Sequence, residues 1–231
     1  MRTLSGGKEE RPMKRVLLTG TALIVAATLL FFPVIARAIE HEKMDKAVYT
    51  QSAVELKLAM RDLWIGHIFW VRNVVLETKY GDTEAAKVAE SKVVEDARAI
   101  GDAIVPIYGK DAGDKLFSLL AGHYGAIKEY MTATYGDDAK AQAAAVDKLT
   151  KNAEEIATFL NSANPKNWPK DTLVNLLMAH GGHHMAQIRQ INSKDFTGEA
   201  KTWDDMKKHI YVIADALADG IVKQFPKKFV K

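Results

Sequence analysis

The segment Leu116-Phe-Ser-Leu-Leu-Ala-Gly-His123 is one of three copies of the same pattern, and this repetition decides the fold. The other copies are Met60-Arg-Asp-Leu-Trp-Ile-Gly-His67 and Leu173-Val-Asn-Leu-Leu-Met-Ala-His180. In each copy an apolar residue lies seven positions before the histidine, a leucine lies four before it, and glycine or alanine precedes it directly. Residues at such steps share one face of a helix, so each copy predicts a buried helical stripe that contains a histidine.

A second pattern repeats in the same register. It occurs at Asp96-Ala-Arg-Ala-Ile-Gly-Asp-Ala-Ile104, Asn152-Ala-Glu-Glu-Ile-Ala-Thr-Phe-Leu160 and His209-Ile-Tyr-Val-Ile-Ala-Asp-Ala-Leu217. Successive copies of both patterns are 56 and 57 residues apart, and the two patterns within a copy are always offset by 29 residues. Two helices joined by a short turn place such positions at similar heights, so the sequence predicts three copies of one antiparallel hairpin.

Each hairpin brings one histidine opposite one polar residue. The predicted pairs are His67 with Asp96, His123 with Asn152, and His180 with His209. Because the histidines lie in apolar stripes, we expect them to be buried, and a buried imidazole needs partners for its nitrogens. One interpretation is therefore purely structural, with each hairpin pinned by one buried hydrogen-bonded pair.

Turn signals divide the chain into six apolar-periodic segments, and none alternates with the period of two that is typical of a strand. The predicted helices cover about residues 46–79, 83–105, 111–134, 138–161, 170–191 and 201–225. The fold class is all-α: a six-helix domain of three αα-hairpins, arranged as a helical bundle or a short closed array. The domain occupies residues 46–226, after a linker at 39–45 and before a tail at 227–231.

A twenty-residue run without a charged side chain, Val16 to Ile35, precedes the domain. As a helix it would be about 30 Å long, which matches the hydrocarbon thickness of a bilayer. Lys14 and Arg15 orient its start to the cytoplasm, and Ala36-Arg37-Ala38 fits a signal cleavage site. Residues 1–38 are thus a cytoplasmic stub with either a signal peptide or a retained transmembrane anchor. Both predict a domain in the cell envelope, membrane-anchored or released by cleavage near Ala38.

Charge and composition exclude several classes of function. Six basic and two acidic residues lie in residues 1–38, so residues 39–231 carry about −1, and their lysines are scattered among acids. The domain therefore offers no basic face to nucleic acid. The absence of cysteine excludes disulfides, thiolate metal sites, iron–sulfur clusters and a cysteine nucleophile.

The second interpretation of the histidines is a metal site. Neutral imidazole is a common ligand of Zn, Cu, Ni and Fe. Some of the imidazoles would converge if the hairpins closed around a pseudo-threefold axis, or if two hairpins formed a four-helix core, whereas an open solenoid would hold them apart. Asp96 is then either a ligand or the hydrogen-bond partner of a ligand.

The third hairpin strengthens the metal interpretation. His184 follows His180 by one helical turn, and such a pair presents two ligands on one helix face. Asp205 has the same relation to His209. The candidate metal ligands are His67, His123, His180, His184, His209, Asp96 and Asp205.

No catalytic motif accompanies these residues. The sequence lacks the Glu-x-x-His of di-iron bundles, His-Glu-x-x-His, Gly-x-Ser-x-Gly and a glycine-rich phosphate loop. A non-catalytic protein that binds a transition metal through buried histidines is therefore the favoured prediction. The alternatives are a structural or interaction module of the cell envelope, whose histidine pairs only hold the hairpins together, and a periplasmic ligand-sensing domain. The protein partner and the oligomeric state stay open.

Three segments resemble a family of small bacterial helical proteins, over about residues 50–228. They are His-x-x-Trp-x-Arg (His67, Trp70, Arg72), Asn-Ala-x-x-Ile-Ala-x-Phe-Leu (Asn152 to Leu160) and His-x(5)-Asp-Ala-Leu-x-x-Gly-Ile (His209 to Ile221). The resemblance implies an exported or membrane-tethered helical bundle with repeated histidines, and it implies no reaction. It gives weight to His67, His123, His180 and His209. The chain departs from the family pattern at Asp96, where asparagine is expected, and at His183 and His184.

Overall fold

The computed structural model describes residues 50–230. The predicted stub and apolar run at 1–38, the linker at 39–45 and the first four residues of the predicted domain lie outside the described residues. Among the residues that are described, no helix is both long and apolar enough to cross a membrane.

Six long helices and no strand make up the described part of the chain, which confirms the all-α prediction. The helices are α1 (Gln51–Tyr80), α2 (Thr83–Ala103), α3 (Lys110–Tyr135), α4 (Ala139–Ala163), α5 (Lys170–Ser193) and α6 (Phe196–Gln224). A one-turn helix, Val105–Tyr108, joins α2 to α3. A 3₁₀ turn, Pro226–Phe229, follows α6, and it packs Phe229 into the core.

Aspartate side chains fix the start of every even-numbered helix. Asp82 accepts from the backbone N–H groups of Glu84 and Ala85 at the start of α2. Asp138 caps α4 and Asp195 caps α6 in the same way, each satisfying an otherwise free N–H group. The predicted break before the last helix was too long, because Asp195 starts α6 five residues earlier than the predicted boundary at 201.

The three hairpins close into a ring. Each helix packs against the next along the chain, and α6 returns to pack against α1. The odd-numbered helices carry the repeated histidines, and α5 also packs against both α1 and α3. Two bidentate pairs fasten the closing seam between α1 and α6: Arg61 with Asp215 and Arg72 with Glu199. The closed array, one of the two predicted arrangements, is the one that brings the odd-numbered helices together.

The core consists of two apolar clusters separated by a polar layer. On α1 the first cluster ends at Ile68 and the second begins at Val71, and His67 lies at this boundary. On α3 the clusters meet between Leu120 and Tyr124, on either side of His123. The polar repeat residues of α2 and α4 interrupt the apolar clusters in the same way. The repeat positions of α1 to α5 therefore form a polar layer inside the ring, and His209 of α6 is not part of it.

Candidate metal centre

The polar layer buries four histidines almost completely. The exposed fraction is 4% for His67, 3% for His123, 1% for His180 and 2% for His184. These side chains come from α1, α3 and α5, so ring closure is what brings them together. Four imidazoles removed from water in one layer need partners, because a buried polar nitrogen without one destabilises the fold.

Three of the rings approach one another closely enough to share an ion. One ring nitrogen from each of His67, His180 and His184 lies within 4.8 Å of the other two. The Nε2 atoms of His180 and His184 are 3.2 Å apart. Two nitrogens bound at about 2.0–2.1 Å to one tetrahedral zinc ion are about 3.3 Å apart. The two nitrogens are at hydrogen-bond distance, one donating to the other, and their spacing also matches that of two ligands on a single ion.

His123 adjoins this group as a fourth imidazole. Its ring stacks on that of His180, with centres 5.6 Å apart and planes inclined by 14°. Asn152 fixes its protonation: the Asn152 amide nitrogen donates to the Leu119 carbonyl, so the amide oxygen, 3.2 Å from His123 Nδ1, accepts from that nitrogen. The proton of the neutral ring is therefore on Nδ1. The lone pair of Nε2 is buried and has no partner.

Unpartnered nitrogens are concentrated in this layer. Among the described residues, His67 Nδ1, His123 Nε2, His180 Nδ1 and Trp64 Nε1 are all buried without a hydrogen-bond partner. The Trp64 ring meets the rings of His67 and His180 edge-on, at centre distances of 6.0 and 6.3 Å. Trp64 lies one helical turn before His67, and this spacing is the only signal in the sequence that links it to the site.

Burial keeps the four imidazoles in their neutral, ligating form. It lowers the pKa of His67 to about 3 and the pKa of His123 to about 4, from an ordinary value of 6.5. The pKa values of His180 and His184 are also well below 6.5, first because of burial and then because neighbouring imidazoles would repel a second charge. Neutral imidazole is the form that binds transition metals.

The glycines before His67 and His123 have a steric reason. A Cβ atom added at Gly122 would lie 3.2 Å from the amide nitrogen of Asn152. A Cβ atom added at Gly66 would lie 3.0 Å from a carboxylate oxygen of Asp96. The polar side chain of the even-numbered helix thus lies over this position of the odd-numbered helix. The glycines of the repeat make room for the partners of the histidines.

Only one of the three predicted hydrogen-bonded pairs, His123 with Asn152, forms. The prediction for His67 and Asp96 was wrong, since both His67 Nδ1 and Asp96 Oδ2 are buried without a partner. An ionised carboxylate has no proton to donate to the odd-numbered helix, so it lacks the second bond that holds Asn152 in place. The carboxylate lies against Gly66 instead, and burial raises the pKa of Asp96.

The predicted pair of His180 and His209 was also wrong. His180 contacts His184, one turn away on its own helix, and His209 donates from Nε2 to the Leu176 carbonyl. Leu176 precedes His180 by four residues, as Leu119 precedes His123, so His209 forms the same backbone contact as Asn152. The remaining described histidine, His183, contacts His209, with ring centres 5.4 Å apart. The sequence had placed His183 in no site.

Asp205 lies outside the buried layer. Its carboxylate is paired with the lysines one turn away on either side, Lys201 and Lys208, and is 39% exposed. These pairs lower the pKa of Asp205, and the hydrogen bond to Lys201 makes the largest contribution. Of the seven candidate ligands, the structure thus brings together His67, His123, His180 and His184, places Asp96 at the edge of the layer, and leaves His209 and Asp205 outside it.

No protein-family model, curated protein or solved structure matches the chain. The resemblance to small bacterial helical proteins stays a prediction from the three quoted segments.

Proposed function

We propose that the helical domain binds one transition-metal ion between His67, His180 and His184, without catalysing a reaction. The observation that carries the proposal is the convergence of three buried ring nitrogens within 4.8 Å. His123 adjoins them with a buried lone pair on Nε2 and lies outside this group of three. Nitrogen ligands of this kind suit Zn, Cu, Ni and Fe, and the absence of cysteine disfavours ions that require thiolates.

The polar groups around the layer include partners of the kind that orient metal ligands. A ligating histidine usually donates its other N–H group to a carbonyl or carboxylate, which fixes the ring. His123 already has this arrangement with Asn152. His67 has an unpartnered Nδ1, and the facing helix holds the Asp96 carboxylate, whose Oδ2 is buried without a partner. Asp96 would also supply negative charge beside a cation that enters an apolar surrounding.

Elemental analysis of the full chain, purified without a polyhistidine tag, tests the proposal. After incubation with Zn²⁺, Cu²⁺, Ni²⁺ or Fe²⁺ and dialysis, we expect about one ion per chain for the ion that fits. His180→Ala should abolish retention. Leu177→Ala is the matched control, because it removes a buried side chain of the same helix, one turn away, without removing a ligand. Retention of metal by His180→Ala, or its loss in both variants, would contradict the proposal.

The alternative is a structural or interaction module whose histidines only join helices. The hydrogen bonds of His123 to Asn152 and of His209 to the Leu176 carbonyl favour it, because both link neighbouring helices without an ion. This alternative predicts that a chelator leaves the melting temperature of the native protein unchanged. A metal centre predicts a lower melting temperature after chelation, because an ion that binds only the folded chain stabilises it.

The proposed location is the cell envelope. Its support is the sequence of residues 1–38, which lie outside the described residues. A periplasm-active reporter enzyme fused after Lys231 in living cells tests it: we expect activity, whereas a reporter that is active only in the cytoplasm should be silent. The opposite pattern would contradict export. The location and the metal site are independent proposals.

A further inference from the structure

Two histidines of residues 50–230, His183 and His209, lie outside the central layer and contact each other. His183 lies between His180 and His184 in sequence, on the side of α5 that faces α6. Its ring contacts that of His209, with centres 5.4 Å apart and planes at 51°. Both side chains are only partly buried, in contrast to the four imidazoles of the central layer.

The geometry of this outer pair suits a shared ion. Two imidazoles bound to one zinc ion at about 2.0–2.1 Å, in tetrahedral geometry, have ring centres about 5 Å apart. His209 donates from Nε2 to the Leu176 carbonyl, so in the neutral ring the lone pair is on Nδ1. This hydrogen bond orients the ring as a backbone carbonyl orients a metal-bound histidine.

The burial of the central layer limits access of an ion from solution. Its histidines are at most 4% exposed, so a hydrated ion cannot meet them directly from solution. An ion held at the outer pair has already exchanged water for imidazole, and the next imidazole along α5 is His184, the residue after His183. A solvent-accessible site that holds the ion beside a buried site raises its effective concentration there.

We propose that His183 and His209 form a second, weaker transition-metal site that takes the ion from solution and passes it to the central layer. This inference rests on the proposed function, because it assigns a route of uptake to the same ion. The central site determines how tightly the ion is held, and the outer pair determines how fast it arrives. Asp205, one turn before His209, stays ion-paired with lysines and is no ligand in this scheme.

Stopped-flow uptake of Zn²⁺ by the full, metal-free chain, followed with a chromophoric zinc indicator, tests the inference. We use His183→Asn and His209→Asn. The second variant keeps an amide donor for the Leu176 carbonyl, as Asn152 does for Leu119, so the contact between helices is preserved. We expect each variant to fill the tight site about tenfold more slowly, with one ion still bound at equilibrium and its affinity within about twofold of the wild-type value.

Val212→Ala serves as the control, because Val212 is an exposed residue of α6 close in sequence to His209. It should leave the uptake rate unchanged. Equal rates in the wild-type chain and both histidine variants would overturn the inference while leaving the central site intact. Absence of a tight site for each of Zn²⁺, Cu²⁺, Ni²⁺ and Fe²⁺ in the wild-type chain would overturn the proposed function as well, so the two failures are distinguishable.

Discussion

Equivalent repeat positions of the even-numbered helices carry different side chains, which are Asp96, Asn152 and His209. Each faces an odd-numbered helix that carries a repeated histidine. The Asn152 amide donates to the Leu119 carbonyl and accepts from His123 Nδ1, so both of the groups that it faces have a partner. His209 has the donor and forms the backbone contact alone. Asp96 has only acceptors when ionised, and its Oδ2 is buried without a partner. The presence of an N–H donor on this side chain thus decides whether a hydrogen bond joins the two helices of the hairpin.

Exchanging these side chains between hairpins gives the first prediction. Asp96→Asn should raise the free energy of unfolding of the metal-free chain by about 1 kcal/mol, because an unpartnered carboxylate becomes an amide that can donate to the Leu63 carbonyl. Asn152→Asp should lower it by about 1–3 kcal/mol, because it removes the donor to Leu119. Urea unfolding at neutral pH measures both. Changes of the same sign would show that the two positions are not equivalent.

The same substitution should have the opposite effect on metal binding. Asp96→Asn removes the negative charge beside His67 while keeping an acceptor, so the affinity for Zn²⁺ should fall by about 10–100-fold. Competition with a zinc chelator of known affinity measures this, and Asp102→Asn, an exposed carboxylate of the same helix, is the control. A variant that is more stable yet binds Zn²⁺ as tightly as the wild type would remove Asp96 from the site.

At the scale of the helices, glycines control how closely neighbours approach. A Cβ atom added at Gly101 in α2 would lie 2.7 Å from the backbone oxygen of Gly113 in α3, which cannot move aside. A Cβ atom added at Gly125 in α3 would meet no atom within 4 Å. Two glycines with the same helical setting therefore have opposite roles, one allowing close packing and the other only weakening its helix.

Alanine substitutions separate these roles. Gly101→Ala should destabilise the chain by about 1–3 kcal/mol, because the added methyl group forces α2 and α3 apart. Gly125→Ala should stabilise it by about 1 kcal/mol, because alanine favours the helix and nothing opposes its side chain. Chemical unfolding of both variants measures the difference. Stabilisation by Gly101→Ala would mean that the two helices separate without cost.

The helices and their order were predictable because apolar periodicity and capping residues act locally. The 29-residue offset correctly aligned His123 with Asn152, since a fixed helix rise and a short turn set their heights. Heights do not determine how far each helix rotates about its axis. In the structure His180 contacts His184 on its own helix, and His209 contacts the Leu176 carbonyl. The offset could not indicate these contacts, because they depend on the rotation of each helix.

At the scale of the whole molecule, ring closure turns three separate histidine positions into one layer. The sequence left an open and a closed array as alternatives, because the contact between α1 and α6 joins residues more than 120 positions apart, such as Arg72 and Glu199. Burial of Glu199, which is 3% exposed, also has no local signal. Closure of the ring removes four imidazoles from water together. Because buried imidazoles resist protonation, the free energy of unfolding should depend on pH.

The whole domain should lose stability on mild acidification. The four buried imidazoles have pKa values below the ordinary 6.5, about 3 for His67 and about 4 for His123. Below about pH 6.5 the unfolded chain therefore binds protons at these imidazoles that the folded chain does not bind. Stability is therefore complete above about pH 6.5 and falls below it by about 1.4 kcal/mol per pH unit for each imidazole. For His123 the loss continues down to about pH 4.

Urea unfolding of the metal-free chain at about pH 6 and pH 5 measures this slope. His123→Gln should reduce the slope by about 1.4 kcal/mol per pH unit, because one depressed imidazole is lost. Bound Zn²⁺ should raise stability at neutral pH, and this gain should shrink on acidification, because protons compete with the metal for the same nitrogens. An unfolding free energy that stays constant between these pH values would show that water reaches the histidine layer and that the ring does not seal it.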